Sequence, residues 1–199
     1  MSTSAIARGF ADPVHDSQKV FRCALDAMAH PGRIAKLATH IEAPAPLFAT
    51  SASLLLALAD YETSVWLDDT LAEVPAVAEF IRFHTGTRLT RSRREAEFAV
   101  IAESAYMPPL TAFASGTPEY PDRSTTLIIQ VETLANRGWQ FTGPGIRECA
   151  TFNAVPVPHD FPQQLAANRA RFPLGVDLIF ATRTEIAALP RTCRIVEAA

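Results

Sequence analysis

Lysine is nearly missing from this sequence. Lys19 and Lys36 are the only two among eighteen basic residues, and the other sixteen are arginines. Arginine suits bidentate contact with phosphate-like groups, although a GC-rich coding sequence produces the same bias. Cysteine is equally scarce. Cys23, Cys149 and Cys193 are odd in number and far apart, which excludes a disulfide framework and points to a reducing compartment. Neither sign of charge dominates. Eighteen basic against 21 acidic residues give a net charge of -3, too little positive field for a nucleic-acid partner. Long apolar runs are missing too. Leu47 to Ala59 is interrupted by Thr50, Ser51 and Ser53 and falls short of the ~20 residues that span a bilayer. Met1 to Pro13 carries Arg8 and Asp12 and no apolar core of a secretory signal. The expectation is a cytoplasmic protein without a nucleic-acid or membrane partner.

Metal and hydrolase signatures are also absent. His15, His30, His40 and His159 show no pairing at ligand spacing, and no histidine neighbours a cysteine in a zinc-like arrangement. No GxSxG elbow occurs, and Ser51-Ala52-Ser53 reads as helix packing. No metal site is expected.

What is present is apolar side chain, 48% over 199 residues. At this length a chain buries roughly 70% of its unfolded surface, so one domain over residues 1–199 is expected. Asp12-Pro13 caps a helix in which Val20, Phe21, Ala24, Leu25 and Met28 form the apolar face. His30-Pro31-Gly32 ends it. Ile34 to Ala38 begins a strand, and Pro44 and Pro46 open a second helix running through Leu58. Val65-Trp66-Leu67 is β-rich and is followed by turn-forming Asp68-Asp69. Pro75 to His84 predicts another amphipathic helix, and the charged Arg88 to Glu97 a solvated loop. Phe98 to Ala102, Thr125 to Val131 and Val176 to Phe180 read as strands, as do Trp139 to Phe141 and Cys193 to Val196. A helix lies between about Asp160 and Arg171, and a Pro-rich loop spans Pro108 to Pro121. Apolar strands alternating with helices predict an α/β protein, a three-layer α/β/α sandwich around a mostly buried mixed sheet.

Three places offer candidate ligand-binding groups. Gly143-Pro144-Gly145-Ile146-Arg147 matches neither phosphate-binding glycine fingerprint. It is read first as a tight turn, with Arg147 and the backbone N–H groups of Gly143 and Gly145 as an alternative anion cradle. Arg123, in Asp122-Arg123-Ser124, sits at the entrance of an apolar strand, the edge opposite the one where open α/β sheets bind ligands. Arg82 and His84 end the Pro75 helix. Helix-end capping accounts for both cations, and phosphoryl recognition is the functional alternative.

Taken together, several short motifs resemble one family, the H subunit of the bacterial carbon-phosphorus lyase system (PhnH). They are Gly9-Phe10, Pro13-Val14-His15-Asp16-Ser17-Gln18, Phe21-Arg22, Ala27-Met28 and Pro31-Gly32 at the front. Val65-Trp66-Leu67, Arg82-Phe83-His84-Thr85, Thr126-Leu127-Ile128, Gln130-Val131 and Gly143-Pro144-Gly145-Ile146 follow. Phe172-Pro173-Leu174-Gly175-Val176-Asp177 and Leu189-Pro190-Arg191-Thr192 complete the series in order over almost the whole chain. The resemblance implies a role in alkylphosphonate use, in a complex with G, I and J subunits that couples an alkylphosphonate to ATP. Adenine leaves, giving a ribose 1-alkylphosphonate 5-triphosphate. It implies no defined catalytic residue for this subunit, a homodimer when isolated, and a fold like the large domain of pyridoxal-phosphate transferases. That cofactor needs a Schiff-base lysine. Lys19 and Lys36 lie too early in the chain for it, so no cofactor is expected on this chain, and ATP enters only as a possible co-substrate of the complex.

Overall fold

The computed structural model describes residues 6–196. Helix α1 (Pro13–Ala29) starts where Asp12 accepts the His15 N–H at 3.1 Å and proline occupies the first turn. It ends as Gly32, at φ 77°, turns the chain and donates its N–H to the Ala188 carbonyl at 3.0 Å. Strand β1 (Ala35–Lys36) leads to helix α2 (Ala49–Leu58). Pro44 and Pro46 precede that helix rather than open it, because the Leu47 N–H closes a turn onto the Pro44 carbonyl. Strand β2 (Ser64–Leu67), short helix α3 (Asp69–Ala72) and helix α4 (Pro75–Thr85) follow. Next come β3 (Arg88–Leu89), β4 (Phe98–Ile101), β5 (Thr126–Gln130), β6 (Thr133–Thr142) and β7 (Ala150–Val155). Helix α5 (Phe161–Ala170) and strands β8 (Asp177–Ala181), β9 (Glu185–Leu189) and β10 (Arg194–Val196) close the described chain.

Seven strands form one mixed sheet in the order β1-β9-β8-β5-β4-β2-β3. The run from β8 to β3 is parallel, and β9 and β1 are antiparallel to their neighbours. Successive side chains alternate between faces. Val65, Val100, Ile128 and Ile179 join a core with Val20 and Ala24 of α1, Leu54 and Leu55 of α2, and Phe80 and Ile81 of α4. Trp66, Ala99, Leu127, Ile129, Leu178 and Phe180 point into a second core. Both faces are covered, which is why the middles of these strands are apolar on both sides.

The second face departs from an α/β/α sandwich. Its cover is α5, the Met107–Phe113 stretch and a separate antiparallel sheet in the order β10-β6-β7, which contributes Phe141, Phe152 and Ala154. Trp139 to Phe141 and Cys193 to Val196 are extended as expected, but they pair with each other and not with the main sheet. Periodicity reports extension; it does not choose the partner strand. The segment expected as a solvated loop contains β3, since Arg88 and Leu89 pair in parallel with Ser64 and Val65. On α1, Val20 and Ala24 are buried as expected, while Phe21 and Leu25 are 47% and 58% exposed.

Candidate functional site

The six candidate residues do not converge. Arg82 lines a groove beside β2 and β3. His84 donates through Nε2 to the Ala7 carbonyl, 2.9 Å away, and its ring packs so closely on Gly9 that a Cβ there would lie 2.7 Å from Nδ1. It clamps the N-terminal segment onto α4. Arg123 stacks over the Tyr120 ring at 4.3 Å, on the amino edge of the sheet. Gly143 and Gly145 lie in the β6–β7 hairpin loop with Arg147 exposed beyond them. The loop turns tightly: both glycines have positive φ, and a Cβ at either would press against Thr192 or Ala29 backbone.

Strand ends decide where an α/β sheet has room for a ligand. The chain leaves β2 for β3 on one side and returns to β4 on the other, so the crevice at the carboxyl ends of β2 and β4 is the topological switch point. Here the protein fills it. Asp68, buried, accepts the N–H of Ala102 at 2.7 Å and of Glu103 at 2.9 Å on one carboxylate oxygen, and that of Leu71 at 3.1 Å on the other. Three backbone donors that would suit a bound anion are taken by the protein's own carboxylate. Asp68→Ala is expected to cost about 2–3 kcal/mol, the worth of hydrogen bonds to a charged acceptor. Urea denaturation reads this loss, with Asp68→Asn intermediate; a change under about 0.5 kcal/mol for the alanine variant would contradict the account.

Farther along the same edge, a cleft of about 580 Å³ opens beyond β5 and β8. Its carboxylates are Glu103, Glu132 and Glu185, against the single guanidinium of Arg183, itself stacked over Phe48 at 4.6 Å. That balance disfavours a polyanion. Neither lysine lines this cleft or the Arg82 groove. Lys19 pairs with Asp16 at 3.3 Å on exposed α1, and Lys36 is exposed on the edge strand β1. Lys19 borders a small pocket with Asp16, Thr39 and His40.

The amino edge gathers the motifs that carried the resemblance. Arg191 donates through Nε to both oxygens of Asp177 (3.2 and 3.1 Å), through Nη1 to the Pro121 carbonyl at 2.7 Å, and through Nη2 to Ser124 and Asp177. Both side chains of the pair are nearly buried, at 13% and 16% exposure. The pair borders a cleft of about 520 Å³ in which Met28, Phe172 and several prolines lie beside the polar Asp122 and Thr192. Proline-flanked segments that are far apart in sequence meet there. Cys193 follows in the chain, and burial, helped by Asp177, pushes its thiol up to about 12, so it is no nucleophile at neutral pH. Sequence reasoning missed Asp177 and Arg191 as a pair; their presence in two of the resembling motifs was the available signal.

Comparison with known proteins decides the family. The family model for "Bacterial phosphonate metabolism protein (PhnH)" matches residues 8–196. The chain belongs to the PhnH family. This PhnH family member is 42% identical over 189 residues to the "Alpha-D-ribose 1-methylphosphonate 5-triphosphate synthase subunit PhnH" of Rhizobium meliloti, covering 94% of this chain and 93% of that one. It is 30% identical over 179 residues to the "Putative C-P lyase subunit protein HtxG" of Stutzerimonas stutzeri, covering 89% and 85%. The matched range takes in both PhnH sheets, the filled switch point and the amino-edge cluster.

Proposed function

We propose that this PhnH family member is a subunit of the carbon-phosphorus lyase core complex. That complex couples an alkylphosphonate to ATP with release of adenine, and the chain's part in it is to hold partner subunits rather than to react. Its relatives are named as subunits of such assemblies, and its most chemically capable groups are engaged internally. Asp68 is held by backbone N–H groups, Arg191 by Asp177, and His84 by the Ala7 carbonyl.

One observation carries the reading. Val14, Phe21, Leu25 and Met28 stand on one side of α1 at helical spacing. The first three are 75%, 47% and 58% exposed, and Met28 joins the stripe to the amino-edge cleft with Phe172. An exposed apolar stripe that runs into this cleft supports a partner-binding surface. The occupant we assign is another subunit of the complex, among the G, I and J subunits, presenting an apolar counter-face. In isolation, a second copy covers the same stripe as the expected homodimer. Three free cysteines agree with a cytoplasmic setting, and among the described residues no helix is long and apolar enough to cross a membrane. We take the main sheet and its first-face helices as a scaffold like that of the pyridoxal-phosphate transferases, used without the cofactor, with the small sheet added on the second face.

The test is the double variant Phe21→Glu/Leu25→Glu. Both side chains face solvent in the free chain, so its melting temperature stays within a few degrees of wild type. Each is expected to remove about 2 kcal/mol or more of partner affinity if it lies at an interface centre, so co-purification with the G, I and J subunits falls more than tenfold. Undiminished capture by a folded variant would overturn the assignment.

A further inference from the structure

A second feature of the carboxyl edge lies apart from the α1 stripe. Beside the filled switch point, a groove of about 420 Å³ lies at the carboxyl ends of β2 and β3, between those strands and the helices α3 and α4. Arg82 reaches it from the last turn of α4 and Arg91 from the turn after β3. Asp69 is the single carboxylate among its lining residues. Arg93, next but one to Arg91, does not line the groove and stacks instead over the Trp66 ring at 5.6 Å.

These guanidiniums are left unneutralised by their neighbours. The two carboxylates of the same segment are turned to neutral donors: Glu97 takes the Ser64 N–H at 2.7 Å, and Glu95 takes the Thr90 hydroxyl at 3.3 Å. Among the described residues, neither Arg82 nor Arg91 has a carboxylate within 4 Å, whereas Arg33 and Arg191 do. In a chain of net charge -3, the stretch from Arg88 to Arg94 carries four arginines and no acid. The charge is therefore local, and Arg91 of that stretch and Arg82 of α4 face a concavity of small-molecule size.

We propose that this groove binds a phosphoryl oxyanion of multiple charge, a linear polyphosphate chain, with Arg82 and Arg91 as its two guanidinium contacts. Planar forked donors match phosphoryl oxygens two at a time. With Asp68 holding the backbone donors of the adjacent crevice, side-chain guanidiniums are the groups left on this edge to take an anion. The site is separate from the α1 stripe and from the amino-edge cleft, so it stands or falls independently of the assembly reading.

Isothermal titration of the full chain with sodium tripolyphosphate at low salt tests it. Saturable one-to-one binding is expected, weakened at least tenfold in Arg82→Gln/Arg91→Gln. The variant Arg137→Gln/Arg194→Gln, which loses the same charge from the small sheet, is expected to bind as wild type does. Melting curves establish that both variants are folded. Equal weakening in the two double variants, or no saturable binding at millimolar tripolyphosphate, would overturn the proposal. Tighter binding of a polyglutamate peptide than of tripolyphosphate would overturn it too, by assigning the groove to an acidic protein segment. Co-purification of Arg82→Gln/Arg91→Gln with the partner subunits is expected to be unchanged, which separates this result from that of Phe21→Glu/Leu25→Glu.

Discussion

Arg191→Ala is expected to destabilise the chain by about 3 kcal/mol, because it leaves Asp177 charged and nearly buried without its partner. Its melting temperature then falls by roughly 6–12 °C, at the ~2–4 °C per kcal/mol usual for a chain of this size. The loss is large because one guanidinium joins three segments. It ties the start of β8 through Asp177 to the loop before β5 through the Pro121 carbonyl and Ser124, and its own backbone N–H binds Asp177 at 2.8 Å. Lysine restores the charge without the fork, so Arg191→Lys recovers only part of the loss. The paired change Arg191→Met/Asp177→Leu is expected to cost less than Arg191→Ala alone, since it strands no charge. By contrast, Lys19→Ala breaks an ion pair whose lysine is 76% exposed and is expected to change stability by well under 1 kcal/mol. Thermal and urea unfolding of the four variants checks the order; an Arg191→Ala variant within about 0.5 kcal/mol of wild type would refute it.

What was legible in the sequence followed from what each signal measures. Thr126–Gln130 and Asp177–Ala181 were readable because strands buried on both faces carry an unbroken apolar middle, Leu127–Ile129 and Leu178–Ala181. Glu185–Leu189 went unread because its central Ala187 and Ala188 carry little β preference, and it becomes a strand by pairing with β8. Ala150–Val155 was hidden for a related reason: it pairs only with β6, and its outer residues face solvent. The α1 face was misassigned at Phe21 and Leu25 because helical periodicity specifies which residues share a side, not what lies beside them.

The candidate site divides along the same line. Arg82 was identifiable from its place at a helix end, but its companion Arg91 lay in a segment whose density of charge reads as solvated surface. Asp68 reads locally as a turn former, and only the return of the chain to β4 brings Ala102 and Glu103 onto its carboxylate. His84 and Arg123 had the right chemistry and the wrong neighbours, a backbone carbonyl and a tyrosine ring. Side-chain type is written in the sequence; whether its valence is already spent is decided by the fold.

Gly145 supplies the second large effect and separates two kinds of strain. Its φ is +81°, and a Cβ built there would overlap the carbonyl oxygen of Ala29 and lie 2.9 Å from Pro31 Cδ. Gly145→Ala therefore adds a backbone clash to a conformation that costs an L-residue roughly 1–2 kcal/mol, and a total of about 3 kcal/mol or more is expected. Gly86 is the control. Its φ is similar, +71°, but the nearest atom to a built Cβ is Tyr61 Cβ at 3.5 Å, an ordinary contact. Asparagine relieves the left-handed cost and keeps the Cβ. Gly86→Asn is thus expected to stay within about 1 kcal/mol of wild type, while Gly145→Asn is expected to be as damaging as Gly145→Ala. If Gly145→Asn were tolerated, the hairpin loop would have to be free to lift away from α1, and its contact would not be what shapes the amino-edge cleft. If it is not tolerated, partner capture falls with stability, because the displaced loop takes Pro144 and Gly145 away from Met28 at the end of the exposed stripe. Phe21→Glu/Leu25→Glu loses capture with stability intact, so the two variants together distinguish a damaged docking surface from a damaged scaffold beneath it.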